Sequence, residues 1–325
     1  MAGIKSVMVM TVLRNVREIR PQILQTWMYH ADLLGLLVGK LAGVPAIAWN
    51  IRCSAMEMGH YRRLSTLVLR ALVPLSSLPQ VVIANSQSGI RVHRALGYTP
   101  RRWLYLPNSL DLEKFQPDLS ARSQVRRELG IPQNARLIGL IARFDPMKDH
   151  ANFVDAAKLM TANDPDLHFV LAGIGVDSRN AELKRLVEST AFPHHFHLLG
   201  HRDDIDHINA GLDIACSSSA FGEGSSNAIA EAMACGVPCV VTDVGDSAFM
   251  VKNLGKVVPP RDPQAFARAC RELLGMSPER RSQLGLAARE RVKAYFSLGS
   301  VVARYEELYQ ELSTAILKFD RQASA

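Results

Sequence analysis

Cysteine is scarce here: five in 325 residues (Cys53, Cys216, Cys235, Cys239 and Cys270), an odd number set in apolar or helical contexts. That usage excludes a disulfide framework as the organising principle and favours reduced, buried thiols. Cys235 and Cys239 have no second Cys or His pair at ligand spacing, and Gly236-Val237-Pro238 puts them on different elements, so they read as core. Unbroken apolar runs are lacking as well. Residues 33–49 are interrupted by Lys40 and Pro45, and the uncharged stretch 71–90 carries Pro74, Pro79 and several polar residues, so neither reads as a bilayer span. Residues 1–14 lack the charged-then-apolar order and the small-residue cleavage site of a secretory signal, which makes a cytoplasmic protein the expectation.

What is present is the composition of a folded protein, 48% apolar and 21% charged, with a length that suggests about two domains. The formal charge of +7 suits an anionic substrate, an anionic membrane surface or nucleic acid. No RRM, zinc-finger or basic-aromatic pattern supports nucleic acid.

Strand and helix alternate along the chain. Strands are expected at 22–27, 46–50, 81–85 and 103–107 with helices at 8–19, 30–41, 61–73 and after Asn85-Ser86 to Leu96, which implies a parallel α/β sheet. The helix at 61–73 carries Arg62, Arg63 and Arg70 on an apolar background. It reads as a core helix with a solvated basic edge, with peripheral contact to an anionic membrane as the other reading. A second set of strands at 137–143, 167–172, 195–199, 212–216, 238–242 and 256–258 reads as a Rossmann-like sheet with its ligand at the carboxyl ends. Helices at 263–275, 277–293 and 299–317 close the chain.

The densest stretch is residues 221–243, FGEGSSNAIAEAMACGVPCVVTD. Glu223 precedes Gly224, Ser225, Ser226 and Asn227, residues that open a helix and leave its first N–H groups accessible to an anion. Helix formers with Glu231 among them follow, then Gly236 and Pro238 as stops, then a buried apolar strand. Two carboxylates eight positions apart thus flank an anion-seeking helix start.

This run resembles the donor-site signature of the retaining GT-B glycosyltransferases of family 4. The resemblance implies an α/β GT-B fold, two Rossmann-like domains facing a cleft. It implies transfer of a sugar from a nucleotide-diphosphate sugar to a hydroxyl of a cell-surface glycan or lipid-linked acceptor, with no metal and no cofactor beyond that co-substrate. Glu223 would lie by the transferred sugar and Glu231 would take the ribose hydroxyls, while amides of Gly224, Ser225, Ser226 and Asn227 hold the diphosphate. The turn Arg143-Phe144-Asp145-Pro146-Met147-Lys148 brackets a strand's carboxyl end with two cations that can close on a diphosphate from two sides, and the family uses such a pair in place of a metal. Gly173-Ile174-Gly175 is a weak signal that would let the backbone approach a ligand. Arg202, in the loop at 199–205, is assigned to the base-side wall. Asp164-Pro165-Asp166 and Asp204-Ile205-Asp206 have metal-like spacing, but a turn and a helix cap explain them better. In the first half, His30 is the candidate to touch the donor sugar, and Arg52 is a weaker one for the same cleft.

The segment Pro107-Asn108-Ser109-Leu110-Asp111 resembles the family's interdomain Pro-Asn-Gly-Ile-Asp, with Ser109 in place of Gly. The boundary is expected at about 112–118, giving 1–114, 115–298 and a returning helix at 299–325. The family's opening strand and Gly-rich loop are not found, since residues 1–20 contain only Gly3. The N-terminal domain is therefore expected to be incomplete: either the true start lies upstream, which is favoured, or the chain is a short form that binds nucleotide sugar without turning it over. A nucleotide-sugar epimerase fits the same run less well.

Overall fold

The computed structural model describes residues 2–52, 63–161, 164 and 166–323; Cys53, Ser54, Tyr61, Arg62 and Pro165 lie outside the described residues. Two compact units are present, one formed by Met1–Pro107 with Val301–Ala325 and the other by Asn108–Ser300.

The first unit runs α1 (Ala2–Ile19), β1 (Ile23–Trp27), α2 (Tyr29–Ala42), β2 (Ala46–Ile51), α3 (Arg63–Leu75), β3 (Val81–Ala84), α4 (Gln87–Ala95) and β4 (Trp103–Tyr105). Its four strands pair in parallel in the order β1-β2-β3-β4. Every residue of β2 and β3 is buried, which is why AIAWNI and VVIA are apolar on both faces instead of alternating. Helix α3 runs through Pro74 to Leu75, past the expected stop at Val73, and the proline leaves one carbonyl of the preceding turn without its amide partner.

Asp32 is a buried carboxyl in this unit, accepting from the Thr26 hydroxyl at 2.6 Å. Burial pushes its pKa up to about 7, against the opposing hydrogen bond from Thr26. Because the folded value lies above the unfolded one, its contribution is fully present below about pH 4 and is lost as pH rises toward 7. Asp32→Asn should flatten that part of the stability curve, so melting temperatures at pH 5 and pH 8 should differ less in the variant than in the parent. An unchanged difference would remove Asp32 as its source.

The second unit contains α5 (Leu119–Glu128), β5 (Arg136–Ile141), α6 (His150–Thr161), β6 (Leu167–Ala172), α7 (Ala181–Glu188), β7 (Phe196–Leu198), α8 (Ile205–Gly211) and β8 (Ile214–Ser217). It continues with α9 (Asn227–Ala234), β9 (Cys239–Thr242), α10 (Ser247–Val251), β10 (Gly255–Val258), α11 (Pro263–Leu274) and α12 (Pro278–Phe296). All six strands are parallel in the order β10-β9-β8-β5-β6-β7. One face packs Phe153, Phe169 and Phe266, and the other packs Leu137, Val170, Met233 and Phe296. Leu110 and Phe115 join the second layer, and the Leu110 amide donates to Phe296 O at 2.8 Å, so the segment after Pro107 packs into this unit. Cys216, Cys235, Cys239 and Cys270 are free and buried.

Strand order reverses between β5 and β8: the chain winds outward through β6 and β7, then returns to the other side of β5. That reversal opens a crevice at the carboxyl ends of the two strands, the place where doubly wound sheets bind ligands.

The last helix, α13 (Leu298–Ala323), returns to the first unit. Leu308 and Leu312 pack on Ala46, Ala48, Val81, Ile83 and Leu106. Asn50 Nδ2 donates to the Tyr305 hydroxyl at 2.8 Å, and the Tyr309 hydroxyl donates to Gln25 Oε1 at 2.9 Å.

Candidate functional site: a crevice between β5 and β8

The turn after β5 is built by local capping. Asp145 accepts from the Met147 amide at 2.9 Å and opens a single 3-10 turn, Pro146–Lys148, which Asp149 ends in the left-handed conformation with φ 47°. This geometry delivers Lys148 to the crevice. Its Nζ contacts Glu223 Oε2, with the two side chains 15% and 9% exposed. Arg143 remains 55% exposed and donates to Asp145 Oδ2 at 3.2 Å.

The loop after β8 holds the turn from the other side. Ser218 Oγ donates to Lys148 O at 2.7 Å, and the Ala220 amide donates to Met147 O at 2.9 Å. Ser219 Oγ donates to Glu223 Oε2 at 2.9 Å, and Thr242 Oγ1, at the end of β9, donates to Ser219 O at 2.6 Å. Three adjacent strand ends are thus tied together around one carboxylate. Sequence reasoning missed Ser218, Ser219 and Thr242; the run Ser217-Ser218-Ser219-Ala220 just before Glu223 was the available signal.

Gly245 was also missed. It has φ 67°, and a Cβ there would lie 2.0 Å from Glu223 O, while the Asp246 amide next to it donates to Gly224 O at 2.8 Å. The backbone of Glu223 and Gly224 rests directly on this glycine.

Gly224 and Ser226 are buried and Ser225 is half-buried, leading into α9. Ser226 occupies the N-cap position, and no side chain caps this helix end. Backbone amides of a helix's first turn have no partner within the helix, so they suit an anion. Asn227 Oδ1 accepts from Asn108 Nδ2 at 2.7 Å. The helix ends in a left-handed Gly236, φ 74°, whose amide donates to Met233 O while that of Val237 donates to Ala232 O. Glu231 thus lies about one turn into α9, which begins four residues after Glu223. Burial raises the Glu231 pKa, and the charge of Lys114 opposes the shift.

His150, the first residue of α6, is buried against the Phe144 ring at 5.1 Å between centroids. Burial, with the Lys148 charge adding to it against the Ala142 carbonyl, pushes its pKa down to about 4. It is neutral at physiological pH and puts no charge beneath the turn.

Gly173 serves the fold: its φ is 149°, and a Cβ would sit 2.2 Å from Ala142 O, so the close approach is to the β5 extension that carries Arg143. Gly175, φ 75°, likewise faces Phe144. Arg202 is already engaged by two carboxylates, Glu128 at 2.5 Å and Asp204 at 2.7 Å, which hold its guanidinium protonated and oriented. Asp164 pairs with Arg136 at 2.6 Å. Among the described residues no group of three or more His, Cys, Asp or Glu could hold a metal ion. In the first unit, His30 is exposed in the first turn of α2, whereas its neighbour Tyr29 is buried and hydrogen-bonded to His93 at 2.7 Å. Arg52 is half-buried at the end of β2.

Residues 121–291 match the family described as glycosyl transferases group 1. Over 265 residues, 80% of this chain and 68% of the relative, the sequence is 25% identical to the Escherichia coli UDP-Gal:alpha-D-GlcNAc-diphosphoundecaprenol alpha-1,3-galactosyltransferase. It is 31% identical over 240 residues to a D-inositol 3-phosphate glycosyltransferase of Geodermatophilus obscurus, 67% of this chain but 50% of that one. The match thus spans about half to two-thirds of these relatives' length. Among solved structures, Anabaena Alr3699/HepE in complex with UDP superposes with TM-score 0.84 at 21% identity, covering 93% of this chain and 82% of that one. Sucrose-phosphate synthase from Thermosynechococcus elongatus gives 0.80 at 21% identity, over 95% and 78%. The fold is accordingly GT-B, and the chain belongs to the glycosyl transferases group 1 family.

Proposed function

We propose that the protein is a retaining, metal-independent glycosyltransferase that moves a sugar from a nucleotide-diphosphate sugar to a hydroxyl of a cell-surface glycan or lipid-linked acceptor. The observation that carries this reading is the meeting of Lys148 and Glu223 at the strand-order reversal, beside the uncapped start of α9. Arg143, Lys148 and the amides of Gly224, Ser225, Ser226 and Asn227 take the diphosphate; Glu223 takes the sugar hydroxyls and Glu231 the ribose. Each charge-assisted hydrogen bond of this kind is worth about 1.5–3 kcal/mol. As the anomeric carbon–oxygen bond breaks, these donors stabilise the charge growing on the leaving phosphate. The acceptor oxygen bonds to the same face of the anomeric carbon, its proton passes to the departing phosphate oxygen, and no separate base is required.

A lipid-linked acceptor is consistent with a peripheral contact at the cytoplasmic face of an anionic membrane. Leu64, Leu67 and Arg70 of α3 are exposed, as are Leu37, Lys40 and Leu41 of the neighbouring α2. No helix among the described residues is long and apolar enough to cross a membrane.

A melting-temperature panel with UDP- and GDP-sugars tests the donor class, because a ligand at a hundred times its Kd stabilises by about 2.7 kcal/mol. One nucleotide sugar should stand out and should be turned over. Stabilisation without turnover would identify a nucleotide-sugar-binding protein, and no response to any sugar would end the assignment.

A further inference from the structure

Both cations of the β5 turn have a carboxylate partner inside the fold: Lys148 has Glu223, and Arg143 has Asp145. A diphosphate entering the crevice must compete with these carboxylates. We propose that Glu223 is an internal competitor for Lys148 that sets the preference of the site for nucleotide sugar over bare nucleoside diphosphate, and that Asp145 competes in the same way at Arg143. The inference rests on the donor-site reading above and concerns how that site lets go of its product.

The two partners are not equivalent. Asp145 Oδ1 is engaged by the Met147 amide, and the Arg143 contact is largely exposed, so this pair exchanges at little cost in solvent. Glu223 is nearly buried, and its Oε2 takes both Lys148 and the Ser219 hydroxyl. Its backbone rests on Gly245 and its carboxylate is held by the Ser219 hydroxyl. Lys148, on a flexible four-carbon stem, is the partner that moves.

When a nucleotide sugar binds, the sugar hydroxyls supply donors to Glu223 as the diphosphate takes Lys148, so neither charge is left unpaired in a half-buried place. Bare nucleoside diphosphate draws Lys148 away and offers Glu223 nothing in return. The cost of drawing Lys148 from a largely buried carboxylate, which keeps its Ser219 donor, then falls on the product alone. Once the sugar has been transferred, recapture of Lys148 by Glu223 favours release of the nucleoside diphosphate.

The test is calorimetric binding of UDP, GDP and the corresponding UDP-glucose and GDP-mannose to the full chain. In Glu223→Gln, the bare diphosphate of the preferred base should bind roughly tenfold tighter than in the parent, while its sugar nucleotide should gain less or lose affinity. Removing any nearby negative charge attracts an anion, so a double-mutant cycle isolates the exchange. In a Lys148→Gln background, Glu223→Gln should leave diphosphate binding within about twofold. Asp145→Asn, whose side-chain oxygen can still cap the turn, should tighten diphosphate by a smaller factor and serves as the second probe if Glu223→Gln does not fold. Parent protein that binds diphosphate no more weakly than Glu223→Gln would overturn the competition and leave the donor-site reading standing. An equal gain with and without Lys148 would do the same. Parent protein that binds none of the four nucleotides would remove both.

Discussion

Lys148→Ala is expected to lower sugar transfer by two to three orders of magnitude. Loss of one preorganised donor to a charge that develops in the transition state costs about that much in other active sites. The same substitution strips Glu223 of its counter-ion, and a carboxylate only 9% exposed then keeps the Ser219 hydroxyl among its donors. Breaking such a pair from one side is expensive, so stability should also fall. The two effects separate in the double variant Lys148→Ala/Glu223→Gln, in which the orphaned charge is gone: melting temperature should recover toward the parent value while transfer does not. Steady-state transfer and thermal unfolding of the three proteins decide the matter. If Lys148→Ala keeps more than about a tenth of the parent rate, the lysine does not stabilise the leaving group.

Gly245→Ala should be the most damaging single methyl in the site. Its φ of 67° already costs an L-residue energy, and the new Cβ would meet the Glu223 carbonyl at 2.0 Å, backbone against backbone, with no side chain free to yield. A loss of at least about 2 kcal/mol, or about 4–8 °C in melting temperature for a domain of this size, is expected. Binding of the donor should weaken by more than tenfold, because relief of the clash displaces Glu223 and Gly224 together. Gly130→Ala is the control, since Gly130 has the same φ of 67° but nothing within 4 Å of its Cβ. It should show only the backbone strain, about 1 kcal/mol. Equal effects at the two positions would mean that Gly245 supports nothing.

The element alternation was legible in the sequence because buried parallel strands are short apolar blocks, and AIAWNI, VVIA and CVVT carry no competing periodicity. The two ends of the site, the Arg143 to Lys148 turn and the stretch from Glu223 to Glu231, were legible for a different reason: each is a continuous segment whose capping chemistry is local. Their meeting was legible only through the family resemblance. Lys148 and Glu223 are 75 residues apart, and they touch because β8 lies beside β5, a neighbour relation set by the sheet's winding rather than by any local pattern. The same holds for Gly245, whose value comes from its contact with the loop that follows the neighbouring strand β8. Gly173 shows the converse, a glycine whose tight contact is with its own chain at Ala142 and Arg143. Helix α5 escaped sequence assignment because its stretch, LSARSQVRRE, is mostly polar, and only Ala121, Val125 and Arg126 turn inward.

The return of α13 to the first unit also bears on how the chain is made. The second unit is one uninterrupted segment, complete once the ribosome has released Ser300. The first unit at that moment still lacks the helix that lays Leu308 and Leu312 over Ala46, Ala48, Val81 and Ile83. One face of the first unit's sheet therefore stays bare until the residues of α13 have been made, and during that interval it is open to chaperones and to self-association.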